Sequence, residues 1–192
     1  MRDPVNPDVN GANLILFLDF DGVLHPDPCS ESKRLFEHAP RLVETLEPFA
    51  EVEVVASTAW RNLMSFDRLR ALLPPRLAAR MLGITPTFGT FDAVTTLVPY
   101  RRQAECAQWL RVNKRPADAW LALDDRPHWF SPYCENVIDC NSAVGLEPVV
   151  AARLTSALVT ARARNARKAR IPATLHSVAP ARLLPKTDTS AI

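Results

Sequence analysis

The stretch Asn13-Leu14-Ile15-Leu16-Phe17-Leu18-Asp19-Phe20-Asp21-Gly22-Val23-Leu24 decides how this chain is read. From Leu14 to Leu18 it is unbroken apolar sequence, the pattern of a strand buried on both faces. Two acids follow at once, with a glycine for the turn. The arrangement recurs downstream. Val52–Ala56 runs into Ser57-Thr58, Trp120–Leu123 into Asp124-Asp125, and the shorter Val137-Ile138 into Asp139. Between these strands lie helical patterns. One covers roughly 39–50, with Leu42, Val43, Leu46 and Phe49 at helical spacing. Residues 61–82 predict two short helices broken at Pro74-Pro75, and 83–100 a loop with room for one short strand. Arg101–Val112 and Glu147 to about Arg170 complete the set, the latter with Pro148 in its first turn. Strands alternating with helices mean an α/β domain with a mostly parallel sheet flanked by helices. In such sheets the C-terminal strand ends form the ligand crevice. Three strands therefore deliver Asp19 and Asp21, Ser57 and Thr58, and Asp124 and Asp125 to one edge.

The rest of the sequence bounds this reading. With 192 residues, 47% hydrophobic and 23% charged, disorder over the whole length is excluded. The longest apolar run, Leu14–Leu18, falls far short of the roughly 18 residues of a membrane span. Met1-Arg2-Asp3-Pro4 lacks the build of a signal peptide, so the expected location is cytoplasmic, with no membrane partner. Cysteines 29, 106, 134 and 140 form no CxxC pair and are expected to be free thiols. Residues 1–12 read as a loose lead-in, 13–162 as the domain, and 163–192 as a basic, flexible tail. Residues 151–192 hold eight Lys/Arg against one acid, which leaves fifteen bases and twenty acids in the remainder. Such a tail either docks nucleic acid or is a solvated end, and the charge alone favours the second.

Four acids at two strand ends cannot share a small crevice as bare anions, because like charges raise each other's pKa. A divalent cation resolves the conflict, and oxygen-only ligands favour Mg2+. Magnesium held by few carboxylates commonly takes a phosphate oxygen as a further ligand, which points to phosphoryl transfer. No GxxxxGK[ST], GxGxxG or GxSxG pattern offers a rival chemistry.

At this point the residues resemble a known family. Leu18-Asp19-Phe20-Asp21-Gly22-Val23-Leu24 is similar to motif I of the haloacid dehalogenase (HAD) superfamily, hhhDxDGxh. Ser57 fits its motif II, and Leu121-Ala122-Leu123-Asp124-Asp125 its motif IV in the DD form. Motif III is a base preceding motif IV; Arg102 is the first candidate and Arg101 the second. Receiver domains use similar groups, but there the acid pair comes first and the base last. DFDGVLHP, STAWR, the RxxEC-xx-WL helix, ALDD, and a later Asp139 with Gly145-Leu146 narrow the match over roughly residues 13–150. They resemble a small capless HAD group that includes the HAD modules of Swiss Army knife RNA-repair proteins.

The resemblance implies a HAD-like Rossmannoid fold without a large cap domain, and a magnesium-dependent phosphatase. Asp19 would be the nucleophile that becomes an aspartyl-phosphate, and Asp21 the acid and then the base. Asp19, the Asp21 backbone carbonyl and Asp125 would hold the metal, with Asp124 assisting. Ser57 would hydrogen-bond a phosphoryl oxygen and Arg102 would neutralise charge. Thr58, Arg61 and His25 are further candidates for binding the phosphorylated substrate. Arg61 could equally pair with an acid, and His25 could serve only the turn before Pro26. Trp60 is expected to pack as core. Asp19 and Ser57 are 38 positions apart and Ser57 and Arg102 are 45, intervals that the helices of the sheet fold largely fill. An uncapped crevice admits a large substrate, so a nucleic-acid end or a nucleotide is the favoured class. The competing reading is a catalytically weak HAD-fold module that docks RNA or a protein through its tail. Phosphotransfer to an acceptor other than water is a third.

Overall fold

The computed structural model describes residues 13–92, 94–116 and 118–169. Five parallel strands form one sheet: β1 (Leu14–Leu18), β2 (Val52–Ala56), β3 (Met81–Ile84), β4 (Ala119–Asp124) and β5 (Val137–Asp139). Their spatial order is β3-β2-β1-β4-β5. The chain leaves central β1 for β2 on one side and later returns to β4 on the other, so the strand order reverses at β1.

Register does the next piece of work. Leu18 pairs with Ala56 on one side and with Leu123 on the other. The residues that follow, Asp19, Ser57 and Asp124, therefore stand level at the end of three adjacent strands. The Ser57 N–H donates to the Leu18 carbonyl at 2.7 Å and the Asp19 N–H to the Leu123 carbonyl at 3.0 Å, carrying the alignment one residue beyond the strands.

The helices are α1 (Ala39–Leu46), α2 (Phe66–Ala71), α3 (Pro75–Ala78), α4 (Arg101–Val112) and α5 (Pro148–Ala169). Alternation along β1 explains its unbroken apolar run. Leu14, Leu16 and Leu18 face a core completed by Leu42 and Leu46 of α1 and Leu154 and Leu158 of α5. Ile15 and Phe17 face Cys106, Trp109 and Leu110 of α4. Both sheet faces are thus covered, as parallel sheets require.

The sequence expectation fails at one strand. Met81–Ile84 was expected to begin as helix, yet it pairs with β2 as the sheet edge. Arg80, just before it, donates to the carbonyls of Leu46, Phe49 and Val52, tying the strand entry to α1 and β2. Further on, α5 runs to Ala169, close to the expected helix end at about Arg170, with Ala161 and Asn165 continuing its buried face. The remainder of the basic tail and the lead-in 1–12 lie outside the described residues. Among the described residues, the intervals between β1, β2 and α4 hold only α1, single turns, α2, α3, β3 and loops, with no inserted cap. All four cysteines are free, and no described helix is long and apolar enough to cross a membrane.

Candidate active site

The turn after β1 depends on Gly22, whose φ is +67°. A Cβ there would stand 2.5 Å from Oδ2 of Asp125, so any side chain would displace that carboxylate. A second glycine, Gly145 at φ +72°, lets the loop after β5 lie on this turn. Leu146 N–H donates to the Val23 carbonyl at 2.8 Å, and a Cβ on Gly145 would meet that carbonyl at 2.7 Å. Asp139, at the end of β5 and opposite Asp124 in register, is exposed and pairs with Arg153.

Asp19 is buried at the centre. Its Oδ1 accepts the Phe20 N–H at 2.7 Å, and its Oδ2 accepts from Nη2 of Arg102 at 3.1 Å. Burial pushes its pKa up to about 6, with Arg102, the Phe20 N–H and the Thr58 hydroxyl opposing the rise. Asp124 lies alongside and is pushed up to about 8, by burial first and by the neighbouring Asp19 second. Burial raises Asp125 as well, against the pull of Arg126.

Arg102 reaches these acids from the first turn of α4. Nη1 meets Glu105 at 3.2 Å, and Nε stands 3.1 Å from Asp124 Oδ2 but off the hydrogen-bonding line, so that contact is coulombic. Its neighbour Arg101 is exposed, with its guanidinium 4.6 Å from the centre of the Trp129 ring. Of the two candidate bases, Arg102 is the one the fold aims at the acids.

Asp21 faces a different set of partners. Trp60 donates its indole N–H between both carboxylate oxygens, at 2.8 and 2.9 Å. Nδ1 of His25 accepts the Phe36 N–H at 3.5 Å, which leaves the proton on Nε2, and Nε2 donates to Asp21 Oδ1 at 3.1 Å. Burial would raise Asp21, but the bonds from His25 and Trp60 outweigh it and hold its pKa below the ordinary value. Trp60 is therefore a polar partner of the site and not simply core. His25 is 1% exposed, packed against Phe36 and Trp60 behind Asp21 rather than at the rim.

The remaining candidates are also committed within the protein. Thr58 is buried beside Asp19. Arg61 donates to the Thr58 carbonyl at 2.9 Å and to Glu105 at 2.6 Å, so of its two expected roles the fold shows the acid pair. Ser57 places its hydroxyl 3.9 Å from the Cys106 thiol. Glu105 is the residue that sequence reasoning missed. It is 3% exposed, bridges Arg61 and Arg102, and accepts the Phe88 N–H at 2.8 Å. Its i,i+3 spacing from Arg102 was visible, but such pairs usually sit on solvated helix faces.

Oxygens of Asp19, Asp124 and Asp125 lie within 4.8 Å of one another. Oδ1 of Asp125 is buried without a hydrogen bond, since Arg126 Nε, 3.6 Å away, is too distant to donate. With Asp21 and Glu105 the site counts five carboxylates against the three guanidinium groups of Arg61, Arg102 and Arg126. Fully ionised, it carries two surplus negative charges, which one divalent cation neutralises. The donor set thus fits Mg2+, with Asp19, Asp124 and Asp125 as its side-chain ligands.

Comparison with known proteins agrees with this arrangement. Neither the curated proteins nor the solved structures gave a match. The family model described as the HAD domain in Swiss Army Knife RNA repair proteins matches residues 15–151, a span that runs from the second residue of β1 through β5 and holds every candidate site residue. The chain belongs to that family of HAD domains.

Proposed function

We propose that the protein is a magnesium-dependent phosphomonoesterase that works through an aspartyl-phosphate on Asp19. The observation that supports this most is the buried Asp19, gripped by Arg102 and the Phe20 N–H, beside a buried carboxylate oxygen of Asp125 that accepts no hydrogen bond. The bound cation supplies charge neutralisation that brings the phosphoryl group to the acids.

The chain's own residues do the rest. A carboxylate oxygen of Asp19 attacks phosphorus, and the bond to the leaving oxygen breaks. Asp21 gives that oxygen its proton. Although Asp21 titrates low in the free protein, an arriving phosphate dianion raises it by like-charge repulsion. Once deprotonated, Asp21 takes a proton from water as the water attacks phosphorus, releasing phosphate and restoring Asp19. Arg102 shares the developing charge, and the buried Ser57 hydroxyl turns from the Cys106 thiol to meet a phosphoryl oxygen.

A phosphorylated nucleic-acid end is the substrate we favour, in keeping with the uncapped fold and with the RNA-repair setting of the family. A module that only docks partners gains nothing from burying several acids at a cost in stability, so the acid cluster favours catalysis over that alternative. The test is phosphate release by the full chain from aryl phosphate and from oligonucleotides phosphorylated at the 3′ or the 5′ end, in magnesium and in EDTA. Magnesium-dependent release from at least one of these is expected. No release from any of them would overturn the reading.

A further inference from the structure

The rim beside the acid cluster carries positive charge that the chemistry above leaves unused. Trp129 closes the single turn Pro127–Trp129 that follows Asp124-Asp125-Arg126. Three guanidinium carbons crowd its ring, at 4.6 Å from the ring centre for Arg101, 4.7 Å for Arg126 and 5.2 Å for Arg102. An indole attracts one cation, but three cations round one ring repel each other unless anions compensate them.

Arg102 is compensated by Asp19, Glu105 and Asp124. Arg126 has Asp125 at 3.6 Å and Asp27 at 3.5 Å, neither close enough for a good hydrogen bond. Arg101 is exposed and, among the described residues, makes no ion pair. One of its two neighbours round the ring, Arg102, touches the nucleophile itself, so the uncompensated charge lies one side chain away from Asp19.

We infer that Arg101 and Arg126, braced on Trp129, form a subsite for a second phosphate of the substrate, next to the one that Asp19 attacks. The inference rests on the proposed phosphatase reading and names the substrate class for it: molecules with two phosphates about one nucleotide apart. Stacking on the indole holds each guanidinium as a pre-set fork for phosphate oxygens. Such a substrate is either a free nucleoside bisphosphate or the end of a polynucleotide strand.

The experiment measures equilibrium binding in magnesium to Asp19→Asn, which keeps the shape of the site without turnover, and in parallel the turnover by wild type. The probes are a nucleoside 5′-monophosphate, a nucleoside 3′,5′-bisphosphate and a 5′-phosphorylated trinucleotide. At least one of the two probes that carry more than one phosphate is expected to bind about tenfold tighter than the monophosphate, the scale of one charge-assisted contact. Adding Arg101→Gln is expected to remove most of that advantage, and since Arg101 is exposed the change leaves the core untouched. An advantage for the trinucleotide alone assigns the subsite to a strand, one for the bisphosphate alone to a small molecule, and one for both to the shared chemistry. Equal binding of all three probes, or an advantage that survives Arg101→Gln, overturns the inference. Tighter binding of a probe with more than one phosphate by a wild type that releases no phosphate would sink the phosphatase reading and leave the subsite standing.

Discussion

Trp60 grips both oxygens of Asp21, so a change that deletes its N–H and keeps an aromatic ring isolates what the grip does. Trp60→Phe leaves Asp21 with His25 alone. If the grip holds Asp21 where it can protonate a departing oxygen, the loss depends on the leaving group. Turnover of an alkyl phosphate should fall about tenfold or more, because a basic leaving oxygen needs the proton, while that of p-nitrophenyl phosphate should fall much less. Equal losses on both substrates would mark Trp60 as packing only. At this scale the acids were readable because Asp and Ser at strand ends are conspicuous after apolar runs. Trp60 was not, since the same residue serves core and site and nothing local tells which end of the indole has a partner. His25 was visible as a loop residue, but it is covered by Phe36 and by Trp60, and the second of these is remote in sequence.

Helix α4 shows how one element organises several groups. Its first turn sends Arg102 toward Asp19, and one turn later Glu105 fixes Arg102 from beside and Arg61 from across the crevice. Glu105→Gln keeps the shape and removes the charge. It should lower stability by about 3 kcal/mol, because two buried guanidinium groups lose their shared partner. Denaturant unfolding checks the figure, and a change under about 0.5 kcal/mol would show that the bridge contributes nothing to the fold. Activity should fall with it through kcat, since Arg102 loses one of the contacts that aim it. The span of α4 was legible, residue for residue, from its stripe of Cys106, Trp109 and Leu110. Strand β3 was not, because it is short, lies at the sheet edge and holds Gly83 where an alternating pattern would show. Its place comes from tertiary ties such as those of Arg80, which no local pattern encodes.

At the scale of the whole molecule, the surplus charge of the acid cluster couples stability to pH and metal. Asp19 at about 6 and Asp124 at about 8 both titrate above the ordinary 3.8, so between those limits the folded state holds more protons than the unfolded state. Their contribution is full at low pH and is lost as pH rises through 6 to 8. Magnesium competes with the same protons, so the rise in Tm from EDTA to magnesium should grow steadily from pH 5 to pH 8. Thermal melts of paired samples measure it. A rise that is flat or shrinks with pH would place the metal elsewhere, and Asp125→Ala should abolish the rise. The topology was largely implicit in the alternation of strands and helices, and the crevice in the polar residues that close three strands. What the sequence could not show was the register that sets Leu18 against Ala56 and Leu123, and hence how close the acids stand. The most direct measurement of the central claim is turnover of a phosphomonoester by Asp19→Asn in magnesium, with folding checked by its melt. Loss of at least about a thousandfold in kcat, in a protein that melts like wild type or higher, is the result expected of the nucleophile. Turnover equal to that of an active wild type would contradict it.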